Sequence, residues 1–192
     1  MGDDMTLKKS NAVLSLLCVA LLLVHAVYQT VSYIVFYYNP YLSKLFGTLL
    51  AAVIVLHGLI SCASVFFVHD AKTIVYKRLN LRTFLQRLSA AVMVVLLVPH
   101  VFSFPLLQKT AGTMLFFLLE GVQVLFFASL FLHVALSFSN AFVSLGLLSD
   151  MKKKRRIDAV AAVVCAVLFV LMSVTITIVH LKLFCGEGKA DV

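Results

Sequence analysis

The side chains with the clearest capacity for chemistry in this sequence are four histidines within long apolar stretches, His25, His57, His100 and His133. Neutral imidazole is a common ligand of transition metals, and its second ring nitrogen can be fixed by a hydrogen-bond acceptor. An imidazole in apolar surroundings costs free energy, and ionisable groups at such positions often have a function. The four histidines therefore predict ligation of a metal or a cofactor, with hydrogen-bonded packing as the alternative for each.

The composition indicates an integral membrane protein. Of the 192 residues, 62% are hydrophobic and 12% are charged, against roughly 45–50% apolar and 25% charged in soluble domains. Several stretches reach the roughly 20 apolar residues that cross a bilayer. Apolar runs, charge clusters and Pro/Gly positions predict one all-α membrane domain over residues 1–192, with five transmembrane helices near 11–36, 47–69, 84–107, 112–148 and 157–183.

Two boundaries of these helices carry specific expectations. Asn39-Pro40 is expected in a loop over 37–46, because proline donates no backbone hydrogen bond and disfavours a helical residue before it. The fourth helix, with roughly 35 residues, is longer than a bilayer requires. It is therefore expected to tilt, or to project into the cytoplasm beyond about Gly146.

The basic residues predict the orientation in the membrane. The chain has 16 Lys+Arg against 8 Asp+Glu, and most of the basic residues lie between helices two and three and between helices four and five. By the positive-inside rule both regions are cytoplasmic, which places the N-terminus inside and the C-terminus outside the cell membrane. The basic residues can meet anionic lipid head groups. They form no stripe for phosphates, so nucleic acid is not an expected partner.

The histidines lie one on each of the first four predicted helices. A four-helix bundle can hold a cofactor between ligands on facing helices, and haem iron accepts two axial imidazoles. Zinc would more often use thiolates or carboxylates, and the four cysteines include no CxxC pair. The first four helices are therefore predicted to form a bundle that binds two haem b groups.

Depth along the helices indicates which histidines share a haem. His25 and His100 each lie about 13 to 14 residues from the inner ends of their helices, roughly 20 Å of travel, which places both in the outer half of the membrane. His133 lies about 20 residues after the outer start of the fourth helix, roughly 30 Å inward. Its partner by elimination is His57, although counting from Gly47 puts His57 nearer the middle of the bilayer.

Two segments and two spacings resemble a known family. Residues 85–90 read LQRLSA and residues 133–146 read HVALSFSNAFVSLG; Arg87 follows His57 by 30 residues and precedes His100 by 13. These features resemble the H/Q-R-x-S/T-G motif, the H-x3-G-I-R-H-x3-D-x-G segment and the spacings of the cytochrome b membrane-anchor subunit of succinate:quinone oxidoreductases and fumarate reductases, in its five-helix, two-haem form.

The resemblance implies that His25 and His100 ligate an outer haem and that His57 and His133 ligate an inner one. It also implies a function. The chain would be a non-catalytic subunit of an oxidoreductase, passing electrons between membrane quinone and a cytoplasmic pair of iron–sulfur and flavoprotein subunits that act on succinate or fumarate.

Two further residues receive roles from the resemblance. Arg87 would contact a haem propionate, a quinone or the iron–sulfur partner near the inner surface, and Ser89 would donate a hydrogen bond nearby. For Arg87 the alternative is an anchor that obeys the positive-inside rule. For Ser89 the alternative is a hydrogen bond to the carbonyl four residues earlier in its own helix.

Glu120 is a candidate catalytic group that the family motifs do not cover. It lies about eight residues into the fourth helix from the outer side, and a carboxylate in apolar surroundings can accept a proton. Because oxidation of a quinol needs a proton acceptor beside the electron acceptor, we expect an outer site for a quinol, menaquinol by preference, at Glu120 with Gln123 nearby. The alternative is a protonated carboxylic acid that hydrogen-bonds within the bundle.

Two other functions stay open at the level of the sequence. The chain can be a haem b membrane redox subunit without flavoprotein partners. It can also be a non-redox helical membrane scaffold in which the histidines only pack.

Overall fold

The computed structural model describes residues 2–67 and 77–185, and no strand occurs in that part of the chain. Its helices are α1 (Gly2–Val35), α2 (Pro40–Phe67), α3 (Lys77–Val101), α4 (Ser103–Lys109), α5 (Met114–Ser144) and α6 (Met151–His180), followed by a π-helical turn, Leu181–Cys185. All except α4 are long and apolar enough to cross a membrane. The prediction of an all-α multi-pass membrane protein with five spans is confirmed.

The second helix begins at Pro40 and not near residue 47, so the predicted loop 37–46 is much shorter. Asn39 caps the helix, because its Oδ1 accepts hydrogen bonds from the backbone nitrogens of Tyr41 (3.0 Å) and Leu42 (3.2 Å). Pro40 then occupies the first helical position, where a missing N–H leaves no hydrogen bond unmade. The Tyr28 hydroxyl donates to the Asn39 carbonyl (2.9 Å), which fastens this loop to α1.

The end of α5 excludes the predicted projection beyond Gly146. The helix ends at Ser144, and Gly146 has a φ of 76°, a left-handed conformation that glycine adopts at little cost. The Gly146 nitrogen donates to the carbonyl of Val143, and the Leu147 nitrogen donates to that of Phe142, each over 3.0 Å. This pair of bonds is the Schellman pattern that closes helix C-termini.

The basic segment 152–156 belongs to the first turns of α6 and not to the loop before it. Asp150 is the N-cap residue, and its side chain accepts a hydrogen bond from the backbone nitrogen of Lys152 over 2.7 Å. Cations are unfavourable at the positive end of a helix dipole. Asp150 and Asp158 supply the opposite charge at this end of α6.

The five long helices form a bundle in which α5 is the central element. Helix α1 packs against α2 and α5, α3 packs against α5, and α6 packs along α5 and α1. In the described residues the pairs α1–α3, α2–α3 and α2–α5 make few or no direct contacts. In α5, 44% of the most apolar window is buried, against 17% or less in the other spans.

We refer to the end of the bundle with the α1–α2 loop as the outer end and to the opposite end as the inner end. This usage follows the charge distribution.

The orientation can be tested with single cysteines at two exposed lysines, Lys44 near the outer end and Lys153 near the inner end. In a variant without the four native cysteines, an impermeant maleimide added to intact cells should label Lys44→Cys. It should leave Lys153→Cys unlabelled until the membrane is opened. Labelling of Lys153→Cys in intact cells would overturn the assigned orientation.

Candidate functional site

The four intramembrane histidines fall into two pairs, each shared between two helices. His25 on α1 is close enough to His100 on α3 for an electrostatic interaction between the rings. His57 on α2 has the same relation to His133 on α5. The structure thus places near each other the histidines that were predicted to share a haem.

The positions of His57 and His133 along their helices agree with the inner pairing. His57 lies about 17 residues after the start of α2 and His133 about 19 residues after the start of α5, which corresponds to roughly 26 and 29 Å of helix. The mismatch that follows from counting from Gly47 disappears, because α2 begins at Pro40. His25 lies only about 10 residues, or roughly 15 Å, from the outer end of α1. The two pairs are therefore at different depths.

The ring of His100 in the outer pair is fixed by side chains of α5. Its Nδ1 lies 2.6 Å from Oε1 of Gln123. Phe126 stacks on the ring, with the ring centroids 4.2 Å apart and the planes inclined by 16°. An amide oxygen only accepts hydrogen bonds, so Nδ1 carries the proton and Nε2 keeps its lone pair. This tautomer is the one in which Nε2 can ligate a metal.

The ring of His133 in the inner pair is fixed in the same way by backbone. Its Nδ1 lies 3.0 Å from the carbonyl oxygen of Gln86 on α3, so this nitrogen donates and Nε2 is left free. The hydroxyl of Ser89 donates to the same carbonyl over 3.0 Å. Ser89 therefore bonds within its own helix, three residues back, and contacts the acceptor that orients His133.

The other member of each pair has a nitrogen without a partner. Nδ1 of His25 and Nδ1 of His57 are buried and make no hydrogen bond. Buried polar atoms in native proteins are nearly always hydrogen-bonded, because an unmade bond costs about 1–3 kcal/mol. Close packing also surrounds His25: a Cβ on Gly47 would lie 3.7 Å from its Cε1.

A cleft lies between His57 and His133, at the inner pair. Its lining includes side chains from four helices, among them Cys18, Leu50 and Met93. The cavity volume is about 60 Å³, below the roughly 300–1,000 Å³ of typical cofactor sites. The two imidazoles of His57 and His133 fit the ligation of a haem. The cleft itself is too small for a porphyrin, which would fit only if the surrounding helices moved apart.

The described residues contain no group of three or more His, Cys, Asp or Glu side chains that converge on one metal position. A zinc site of the usual kind needs three or four such ligands. Two imidazoles at each of two positions instead match the axial ligand set of a haem.

Glu120 has a partner that the sequence did not reveal. Its Oε1 contacts Nδ1 of His180, and the two residues are only 6% and 1% exposed. His180 is the last residue of α6. Nothing in the linear pattern of α6 indicates that its last residue meets a carboxyl group on α5.

Two polar atoms beside this pair have no partner. They are Oε2 of Glu120 and Nε2 of Gln123, both buried. Residues three apart lie on the same face of a helix, so both side chains belong to one face of α5. Because Gln123 also holds His100, this face lies beside the outer histidine pair.

An ion cluster joins α3, α5 and α6 at the inner end. Arg82 donates to both carboxylate oxygens of Asp158 over 2.7 Å, and to the carbonyl of Leu136. Lys154 donates to the same carboxylate over 3.3 Å. Arg87, which was predicted to contact a propionate or a partner, is exposed and forms no hydrogen bond or ion pair with the residues that the structure describes.

Comparison of the chain with protein families, with curated proteins and with solved structures finds no match.

The ion cluster predicts a difference between two aspartates of α6. Asp158→Asn removes the charge that Arg82 and Lys154 share and should cost about 2 kcal/mol, or roughly 4–8 °C in the thermal midpoint of a chain of this size. Asp150→Asn is the matched control, because asparagine also caps helices well. Thermal unfolding in detergent measures both. Equal midpoints for the two variants would show that the cluster does not stabilise the fold.

Proposed function

We propose that this chain is a dihaem cytochrome b of the cell membrane, which passes electrons between membrane quinone and a redox partner at the cytoplasmic face. The observation that supports this most is the arrangement of the four intramembrane histidines in two pairs at two depths. In each pair one ring is held through Nδ1, so that Nε2 is free to ligate.

His25 and His100 would hold the outer haem, and His57 and His133 the inner one. A bound haem supplies one-electron transfer, and the protein sets its ligation, burial and spacing. Gln123 and the carbonyl of Gln86 orient the imidazoles, as outer-sphere acceptors do for metal-bound histidines.

The unpartnered nitrogens favour this function over a scaffold in which the histidines only pack. A packing histidine inside a bilayer should have both ring nitrogens satisfied by protein groups, since lipid offers no partners. His25 and His57 each keep a buried Nδ1 without a partner. Each of these nitrogens therefore needs a partner that the described protein residues do not supply.

The substrate at the outer end would be a hydroquinone, menaquinol by preference. A quinol hydroxyl can donate to Oε2 of Glu120 while its oxygen accepts from Nε2 of Gln123, and both atoms lack partners. Glu120 would accept the proton that quinol oxidation releases, which makes it the catalytic residue of this chain.

The partner at the inner end would be an iron–sulfur subunit that serves a flavoprotein acting on succinate or fumarate. The resemblance of segments 85–90 and 133–146 supports this assignment. So does the surface: Arg87, Lys153, Arg155 and Arg156 are exposed at that end and can meet an acidic protein surface. Another haem b redox subunit would share the histidine pairs and differ in its partner.

Haem counting in alanine variants tests the ligand pairs. His25→Ala or His100→Ala should each leave one haem per chain, because a bis-histidine site needs both axial ligands. His57→Ala or His133→Ala should each remove the other haem.

The pyridine haemochrome assay on the purified protein gives the ratio of haem to protein. His69→Ala is the control and should retain two haems; His69 lies outside the described residues. Two haems in any of the four ligand variants would exclude the proposed pair.

The role of Glu120 is tested by Glu120→Gln, which keeps the size and the hydrogen-bonding capacity of the side chain. Both haems should remain, and reduction of the haem by a menaquinol analogue should slow by roughly 10²–10⁴, the usual contribution of a positioned acid or base. Stopped-flow spectroscopy measures the rate. Ser129→Ala, on the same helix, should leave it unchanged. Normal kinetics in Glu120→Gln would reject the proton-acceptor role.

A further inference from the structure

We propose that Glu120, His180 and Tyr33 form a proton path from the outer histidine pair to the outer end of the bundle. The path is independent of haem, but the quinol that would supply its proton rests on the function proposed above. It assigns a role to His180, the most deeply buried histidine in the described part of the chain.

The three side chains are arranged in series on three helices. Glu120 lies on α5 and contacts Nδ1 of His180, the last residue of α6. Nε2 of His180 lies 3.4 Å from the hydroxyl of Tyr33, within the reach of a proton-transfer contact that is loose in the resting state. Tyr33 is half-buried and stands two residues before the end of α1 at Val35. The series therefore runs from the interior to the outer end.

Aromatic rings enclose the imidazole in this series. Tyr33 meets His180 edge-on with ring centroids 5.7 Å apart, and Phe184 and Phe104 lie at 5.7 and 6.3 Å. These rings keep water away from the imidazole edges, and His180 is only 1% exposed. A proton on Glu120 thus has an ordered route through two protein groups.

The transfer balances as an acid–base relay without movement of electrons. In the outward direction the O–H bond of Glu120 breaks and an N–H bond forms at Nδ1 of His180. The Nε2–H bond breaks, its proton passes to the oxygen of Tyr33, and that hydroxyl releases its own proton to water. One proton leaves, and His180 is left as the other neutral tautomer, with its hydrogen on Nδ1. The same transfers in reverse restore the starting tautomer.

Loss of the Tyr33 hydroxyl should change the exchange of the His180 N–H hydrogen in opposite directions, depending on whether the Glu120–His180 pair is only structural or part of a proton path. If Tyr33 only packs on His180, removing its hydroxyl loosens the contact, and exchange of the imidazole N–H hydrogen with solvent stays the same or becomes faster. If Tyr33 conducts protons, exchange becomes slower, because the exit is removed while the rings still exclude water. The direction of the change separates the two roles.

The test is Tyr33→Phe in the full-length protein, which keeps the ring against His180. Exchange of the His180 ring hydrogen with deuterated solvent is followed by NMR in protein labelled with ¹⁵N-histidine, assigned by loss of the signal in His180→Phe. We expect exchange at least roughly tenfold slower than in the wild type. This change is smaller than the roughly 10²–10⁴-fold effect on rate of a positioned proton-transfer group.

Tyr28→Phe is the matched control, because it also removes a hydroxyl from α1, but one that bonds the Asn39 carbonyl. It should leave the exchange rate of His180 unchanged. Unchanged or faster exchange in Tyr33→Phe, or equal slowing in Tyr28→Phe, would overturn the proton path. Haem content is measured on the same samples: protein without haem would reject the proposed cytochrome function, while the exchange rates would still decide the proton path.

Discussion

Every nitrogen of an imidazole inside a bilayer must be satisfied by a protein group or by a ligand, because lipid offers no hydrogen-bond partner. The rest of the structure depends on how the chain meets this requirement. One histidine of each pair, His100 or His133, donates a hydrogen bond from its Nδ1 to an acceptor on a neighbouring helix. The other, His25 or His57, keeps a buried nitrogen unpaired. A partner for these two nitrogens therefore has to come from a group other than the described protein residues.

Helix α5 carries most of this arrangement. It packs against α1, α3 and α6, and its buried residues include both apolar core side chains and polar groups such as Glu120 and Gln123. The outer part of α5 supplies the carboxyl group and the amide, and its inner part supplies His133. One helix thus sets the spacing between the two histidine pairs and the distance from the outer pair to Glu120, so a shift of α5 would disturb all three together.

The sequence predicted the five spans because hydrophobic length and charge clusters are properties of single segments. Residue counts along straight helices predicted that His25 and His100 lie at one depth, while His57 was assigned to His133 by elimination; that these pairs hold haem stays a prediction. The sequence missed the start of α2, since Pro40 was taken to interrupt a helix when it occupies the first helical position behind the Asn39 cap. It missed the Glu120–His180 contact and the Arg82 cluster for another reason. Each joins helices that are far apart in the sequence, and which side of a helix faces its neighbour depends on the packing of the whole bundle and not on the sequence of one segment.

The central claim is that the two histidine pairs hold two haems, and the wild-type protein tests it most directly. The purified protein is reduced with dithionite, and its reduced-minus-oxidised absorption spectrum is recorded together with the ratio of haem to protein. The account predicts a haem b spectrum, a ratio near two, and low-spin signals of bis-imidazole iron in the electron paramagnetic resonance of the oxidised form. A protein that is pure, folded and free of haem, after expression with sufficient haem supply, would contradict it.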